Sequence, residues 1–406
     1  MKYIEEFRSK DLAKQIAARI RQTVQPEREY HFMEFCGGHT HAIFRYGVQD
    51  LMPDNVHYVH GPGCPVCVLP TSRIDLMIRL VREENVILCT YADLMRVPAS
   101  ERLSLMKVKA EGGDIRMVYS TQDALDIARQ NPEREVVFFA IGFETTTPPT
   151  AVAIRQAQAE QLKNFTVFCN HVLTPSAISG LLDSTPEPGE KPPVLDGFLG
   201  PSHVSSVIGS RPYEFVPAQY GKPVVIAGFE PLDVMQSTLM LIRQINEGRC
   251  EVENEYTRLV TRDGNRKAQQ LVADVLEPRD KFEWRGLGWI DNSALKIRSA
   301  YQEYDAEKRF ACLQDADNLI AKDNKACECP SVLRGSKKPQ DCKLFGNGCS
   351  PENPMGSCMV SSEGACAAHW SYGRFRTAQI SSKEKPSPET PATVETEFTS
   401  ADKATA

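Results

Sequence analysis

The sequence predicts an α/β protein made of two similar parallel-sheet domains, followed by a helical and loop-rich region that gathers cysteine. Three observations predict this. Short β-branched or aromatic runs alternate with helical stretches, which is the signature of parallel α/β layers. A strand that runs into a glycine turn recurs in two successive stretches of chain. Six of the thirteen cysteines fall between Cys327 and Cys366, in a segment broken by glycine and proline.

Residues 9–24 form the first expected element, a helix with Leu12, Ile16, Ile20 and Val24 recurring every four residues. The expected strands are YHFMEF, NVILCTY, EVVFFAIG, FTVFCNH, VLDGFLG and KPVVIAG, and the helical patterns include SRIDLMIRLVREEN and LDVMQSTLMLIRQINEG. The recurrence pairs MEFCGGHTHAIFRYG, HGPGCPVCVLPTSRID and NVILCTYADLMRVP with FAIGFETTTPPTAVAI, LGPSHVSSVIGSRPYE and PVVIAGFEPLDVMQ. It sets the expected domains at 1–120 and 121–250. Any two α/β halves share something of this pattern. From 251 to 382 the expectation is helical (NEYTRLVTRDGNRKAQQLVADVL, SALKIRSAYQEYDAEKRF) and then cysteine-bearing loop. Residues 383–406, polar and rich in Pro, Thr and Glu, bury too little apolar surface to offset ordering entropy and are expected to be disordered.

The formal charge, −6, does not draw a phosphate backbone, so nucleic acid is excluded as a partner. The first twenty residues carry early acids and no signal-type apolar core, and VVFFAIGF is too short to cross a bilayer. The expected compartment is therefore the cytosol, where thiols stay reduced and clustered cysteine implies metal or redox work. There is no G-x-x-x-x-G-K-[ST] loop, C-x3-C-x2-C triad or G-x-S-x-G element.

In the C-terminal group, Cys327, Cys342, Cys349 and Cys366 are taken as the four ligands of a cluster, with Cys329 an alternative to Cys327 and Cys358 to Cys366. Soft thiolates suit either zinc or an iron–sulfur cluster. Zinc ribbons use tight cysteine pairs, whereas these gaps are long and uneven, which favours a [4Fe-4S] cube over zinc or free thiols.

Near the start, FCGGHTH places Cys36 at a strand end, where α/β sheets bind ligands, with His39 and His41 following. The pair Cys64 and Cys67, in GPGCPVC, can chelate a metal or close a disulfide. A structural cysteine or core histidine is the plainer reading at each position, so the cysteines rank above the histidines and His60. In GFETTTPP and GPSHVS, Glu144 and His203 are candidate proton carriers on an opposite cleft wall, against the plainer reading of helix capping.

Taken together, FCGGHTHAIFRYG, GPGCPVCVLP, GFETTTP, GPSHVS, AGFEPLD, LRGSKKPQDCKLFGNGC and CMVSSEGACAAHW, spread over about residues 34–370, resemble the HypD family of hydrogenase maturation proteins. Pro330, where the pattern would have glycine, and the acidic tail beyond Lys383 depart from it. The resemblance implies two α/β domains, a C-terminal [4Fe-4S] cluster, and a scaffold role in building the Fe(CN)2CO group of [NiFe] hydrogenases. It further implies a HypC-type chaperone and a HypE-type cyanide donor as partners. Carried over by motif, Cys36, Cys64 and Cys67 handle ferrous iron, Fe(2+). Two other readings compete: a cluster-dependent thiol–disulfide reductase, and a zinc-stabilised interaction module.

Overall fold

The computed structural model describes residues 5–185, 192–314, 321 and 324–373; the tail at 383–406 lies outside them. Nine strands form two parallel sheets: β1 (Tyr30–Glu34), β2 (Val56–His60), β3 (Ile87–Thr90), β4 (Ile115–Met117), β5 (Val136–Gly142), β6 (Phe165–His171), β7 (Gly197–Pro201), β8 (Val224–Ala227) and β9 (Val252–Asn254). One sheet runs β2-β1-β7-β8-β9 and the other β4-β3-β5-β6. Every pairing within them is parallel.

The α/β class is therefore observed, but the two halves are not. Strands β3 and β4, expected in the first domain, pair with β5 and β6 from the second, and β7 to β9 return to β1. The boundary at 120 falls inside one sheet. A local pattern of strand and glycine turn repeats wherever a parallel strand ends, so it reports the element and not the sheet that receives it.

Burial follows from parallel packing. All seven residues of β5 and all seven of β6 are buried, as expected of strands covered by helices on both faces. Helix Lys10–Thr23, capped by Ser9 accepting from the Leu12 N–H, presents Ala17 and Ile20 to the core, while Leu12 is 45% exposed. A four-residue spacing drifts about 40° per step on a 3.6-residue turn, so the outer members of the stripe rotate off the buried face.

After β9 the chain is less helical than expected. One helix, Arg266–Val275, is followed by two antiparallel ladders: β10 (Leu276–Pro278) with β13 (Leu295–Ile297), and β11 (Lys281–Trp284) with β12 (Gly288–Asp291). This segment packs on the second sheet, with Val167 bridging Asp305 and Val172 bridging Ala294. Short helical turns at Cys329–Leu333, Ser357–Met359 and Ala365–Ala368 carry three of the later cysteines, Cys329, Cys358 and Cys366. Among the described residues no helix is long and apolar enough to cross a membrane.

Candidate metal-handling cleft

A parallel sheet leaves a crevice where successive crossovers leave in opposite directions. In the first sheet that point lies between β1 and β7, and in the second between β3 and β5. The loops from both points line one cleft of about 580 Å3: Cys36 and Gly63, then Tyr91 to Leu94, then Gly142, Phe143, Thr145 and Thr146, and His203, Val204, Ser206 and Val207. Ser361, Ser362 and Glu363 close it from the C-terminal region. The sequence expected GFETT and GPSHVS on the wall opposite Cys36. GFETT is there, but GPSHVS follows β7 on the same sheet as Cys36.

Cys36 is the N-cap of helix Gly37–Tyr46, and Cys64 is the N-cap of the short helix Pro65–Val68. Their loops touch: the Gly37 N–H donates to the Gly63 carbonyl at 3.2 Å. A Cβ on Gly63 would stand 2.5 Å from the Cys36 nitrogen, and one on Gly37 would stand 2.2 Å from the Glu363 Cβ. Glycine is required there so that three backbones can meet beside one thiol. Burial pushes the Cys36 thiol up, the Glu363 and Glu34 carboxylates add to this, and the Gly38 and His39 N–H groups oppose it. Cys64 and Cys67 are joined as a disulfide, and the Cys64 sulfur also accepts from the Cys67 N–H.

The candidate histidines separate. His39 is fully buried, with Nε2 2.9 Å from the Ala227 carbonyl and its ring against Phe229. The His41 Nε2 lies 3.1 Å from the Tyr372 hydroxyl. Residues two apart on a helix point about 200° apart, so both cannot face one ligand. Neither lines the cleft, whereas His203 does, with its ring 4.0 Å from that of Phe229. Burial, then the nearby His39, lowers the basicity of His203 and favours a neutral imidazole. Glu144 is not among the lining residues. Its two oxygens accept from the Thr174 N–H at 2.8 Å and hydroxyl at 2.9 Å, and burial raises its pKa to about 7. It ties the helix after β6 to the loop after β5.

The sequence reading passed over several residues. Glu34, fully buried at the end of β1, accepts from the Cys36 N–H, the Thr40 hydroxyl and His60. Glu363 lies on Gly37, and Ser357 donates its hydroxyl to the Cys67 carbonyl at 2.8 Å. A carboxylate closing the strand YHFME, next to Phe32 and Met33, was the available signal for Glu34. Glu363 and Ser357 offered none beyond lying in the cysteine-rich blocks.

In the C-terminal region, Cys327, Cys329, Cys358 and Cys366 lie near enough for their thiols to shift one another. Cys349 lies close enough to feel Cys329 and Cys327. Cys342, chosen from spacing as a ligand, lies beside Glu328. Among the described residues no group of three or more His, Cys, Asp or Glu side chains is arranged to hold a metal ion. The donor set does fit a thiolate-held cluster, since five sulfurs converge. A Cβ on Gly356 would stand 2.3 Å from the Cys327 sulfur and 2.6 Å from that of Cys329, so bare backbone lines the sulfur pocket. This pocket adjoins the disulfide: the Cys67 sulfur is 3.9 Å from the Ser357 carbonyl, one residue before Cys358.

Comparison with known proteins identifies the family. A family model described as HypD, hydrogenase formation hypA family, matches residues 11–373. The chain is 64% identical over 377 residues to hydrogenase maturation factor HypD of Cupriavidus necator, covering 93% of this chain and 98% of that protein. It is 62% identical over 380 residues to the Azotobacter vinelandii factor, covering 94% and 99%, and 45% identical over 377 residues to that of Escherichia coli K12, covering 92% and 98%. The chain belongs to the HypD family of hydrogenase maturation factors.

Proposed function

We propose that the chain is an assembly scaffold on which ferrous iron acquires the ligands of the Fe(CN)2CO group, held by the Cys36 thiolate with a sulfur of the Cys64/Cys67 pair. The observation that carries this reading is the convergence of both cysteine loops, each at a helix start, on a cleft formed by the switch points of two sheets. A helix N-terminus favours the thiolate once a cation offsets the Glu363 and Glu34 charges. His203 offers a neutral imidazole to the same cleft, and Thr145 and Thr146 line it from the opposite wall.

Cys329, Cys358 and Cys366, with Cys327 or Cys349, would hold a [4Fe-4S] cluster, which when bound supplies one-electron chemistry. Reduction of the Cys64–Cys67 disulfide consumes two electrons and two protons and returns two thiols. Ser357 holds the helix carrying Cys67 against the cysteine loop by its hydroxyl. The cleft volume leaves room for a segment of a partner protein beside Cys36, in keeping with a HypC-type chaperone and a HypE-type cyanide donor.

Cys36→Ala is expected to abolish hydrogenase maturation and to remove one iron beyond the cluster's four, with the cluster's visible absorbance intact. Full maturation by that variant would sink the reading. The disulfide beside the sulfur pocket favours a second reading, a thiol–disulfide reductase. Sustained multiple turnover on a disulfide acceptor with an electron donor would support it over the scaffold.

A further inference from the structure

Glu34 is a carboxylate at the end of β1, and its exposure is 0%. Burying a carboxylate costs several kcal/mol unless hydrogen bonds replace its water. Its oxygens receive three bonds: from the Cys36 N–H at 3.0 Å, from the Thr40 hydroxyl, and from His60 Nδ1 at 2.8 Å. Register explains the third, because Glu34 and His60 are direct partners on adjacent parallel strands. The Cys36 N–H and the Thr40 hydroxyl donate and His60 Nδ1 is able to, so the site suits an accepting group, as a carboxylate is. Thr40 and Cys36 belong to the same helix start, so Glu34 grips that start at its cap and again one turn later.

We infer that Glu34 is a positioning residue for the Cys36 site: it fixes the cysteine's backbone through the Cys36 N–H and sets the electron density of iron held on that thiolate. The inference rests on the assignment of iron to Cys36. Charge two residues from the ligand, in a water-poor interior, acts at low effective dielectric. A negative charge near the metal strengthens back-donation into carbon monoxide and cyanide and lowers their stretching frequencies.

The test is infrared spectroscopy of the full chain purified without oxygen from cells that assemble the group. In Glu34→Gln the carbon monoxide and cyanide bands are expected to shift to higher wavenumber while the cluster absorbance is unchanged. In Thr40→Val, which keeps the volume and removes one donor, the carboxylate is less screened, and the bands are expected to shift the opposite way. This second variant keeps the test open if Glu34→Gln fails to fold. A purely structural role would change occupancy or melting without moving the bands in opposite directions. Bands at wild-type positions in both variants, with bands still lost in Cys36→Ala, overturn the role of Glu34 alone. Survival of the bands in Cys36→Ala, or their absence from the wild type, overturns the iron assignment and this inference with it.

Discussion

The two sulfur regions are built in different ways. Around Cys36 and Cys64, each cysteine caps a helix at the end of a parallel strand, and glycines allow specific backbones to meet. Between Cys327 and Cys366, short turns bring sulfurs into contact with one another, and the thiols themselves are much of the packing. In the first region regular structure decides where sulfur goes. In the second no long element sets the sulfur positions. For the cluster proposed there, binding and the folding of these loops would be one free-energy change.

That difference gives the largest expected effect. Cys329→Ser and Cys358→Ser should each remove the visible cluster absorbance of anaerobic protein and lower its melting temperature, whereas Cys342→Ser should retain both. Loss of iron from Cys342→Ser together with retention in Cys358→Ser would restore the ligand set read from spacing and break the grouping seen in the fold.

The next effect tests the rigidity of the first region. Arg73, just after the CPVC segment, and Arg279 both bond Glu307, and Arg73 also lies 4.2 Å over the Phe168 ring. Burial pushes the Glu307 carboxyl up, but the two guanidiniums outweigh it and hold it at about 2. Glu307→Ala strands two inward-facing charges and should cost about 3–5 kcal/mol in denaturant unfolding. Because the folded value is depressed, this stability is present above the ordinary glutamate range and is lost as pH falls from about 4.3 toward 2. The ion pair of Lys337 with Glu328, beside the cysteine loop, is more exposed, and Lys337→Ala should cost no more than about 1 kcal/mol. Equal costs at the two sites would erase the contrast.

Legibility in the sequence follows the same division. Strand ends obey a topological rule, so Cys36 and the glycine turns were readable as a ligand address before any pairing was known. Which strands pair was not readable, because β3 and β4 carry the same local pattern as β1 and β2 and only the long return at β7 reveals the exchange. His39 and His41 were grouped with Cys36 by nearness in sequence; the helix that starts at Gly37 sends the two rings apart. In the cysteine-rich segment, composition showed that sulfur gathers but not which members meet. Spacing without regular structure fixes no direction, so Cys342 could not be told from Cys358.

A smaller effect probes the contact between the regions. The Cβ that Gly37→Ala adds would meet the Glu363 side chain, so one loop has to retreat. Overpacking of this kind costs about 1–3 kcal/mol. The expected outcome is a modest loss of stability with the cluster retained and the iron beyond the cluster's four reduced. Loss of the cluster instead would show that the C-terminal region depends on the strand-end site for its own fold.

The smallest effect concerns the wall facing Cys36 and separates structural from chemical use of an acid. Burial raises Glu144 to about 7, while its bonds to Thr174 and a backbone N–H limit the rise. A raised carboxyl contributes stability below the unfolded value and loses it as pH rises through the folded one. With a folded value near 7, the loss between about pH 6 and 8 is about 1.4 kcal/mol. Glu144→Gln has no proton to lose, so its unfolding free energy should be flatter than wild type over that interval. Maturation by the variant should persist, because the carboxyl faces Thr174 and not the cleft. A maturation defect with an unchanged stability profile would return Glu144 to the role of proton carrier that its motif first suggested. It would also mean that the loop after β5 turns its acid toward Cys36 when a partner enters.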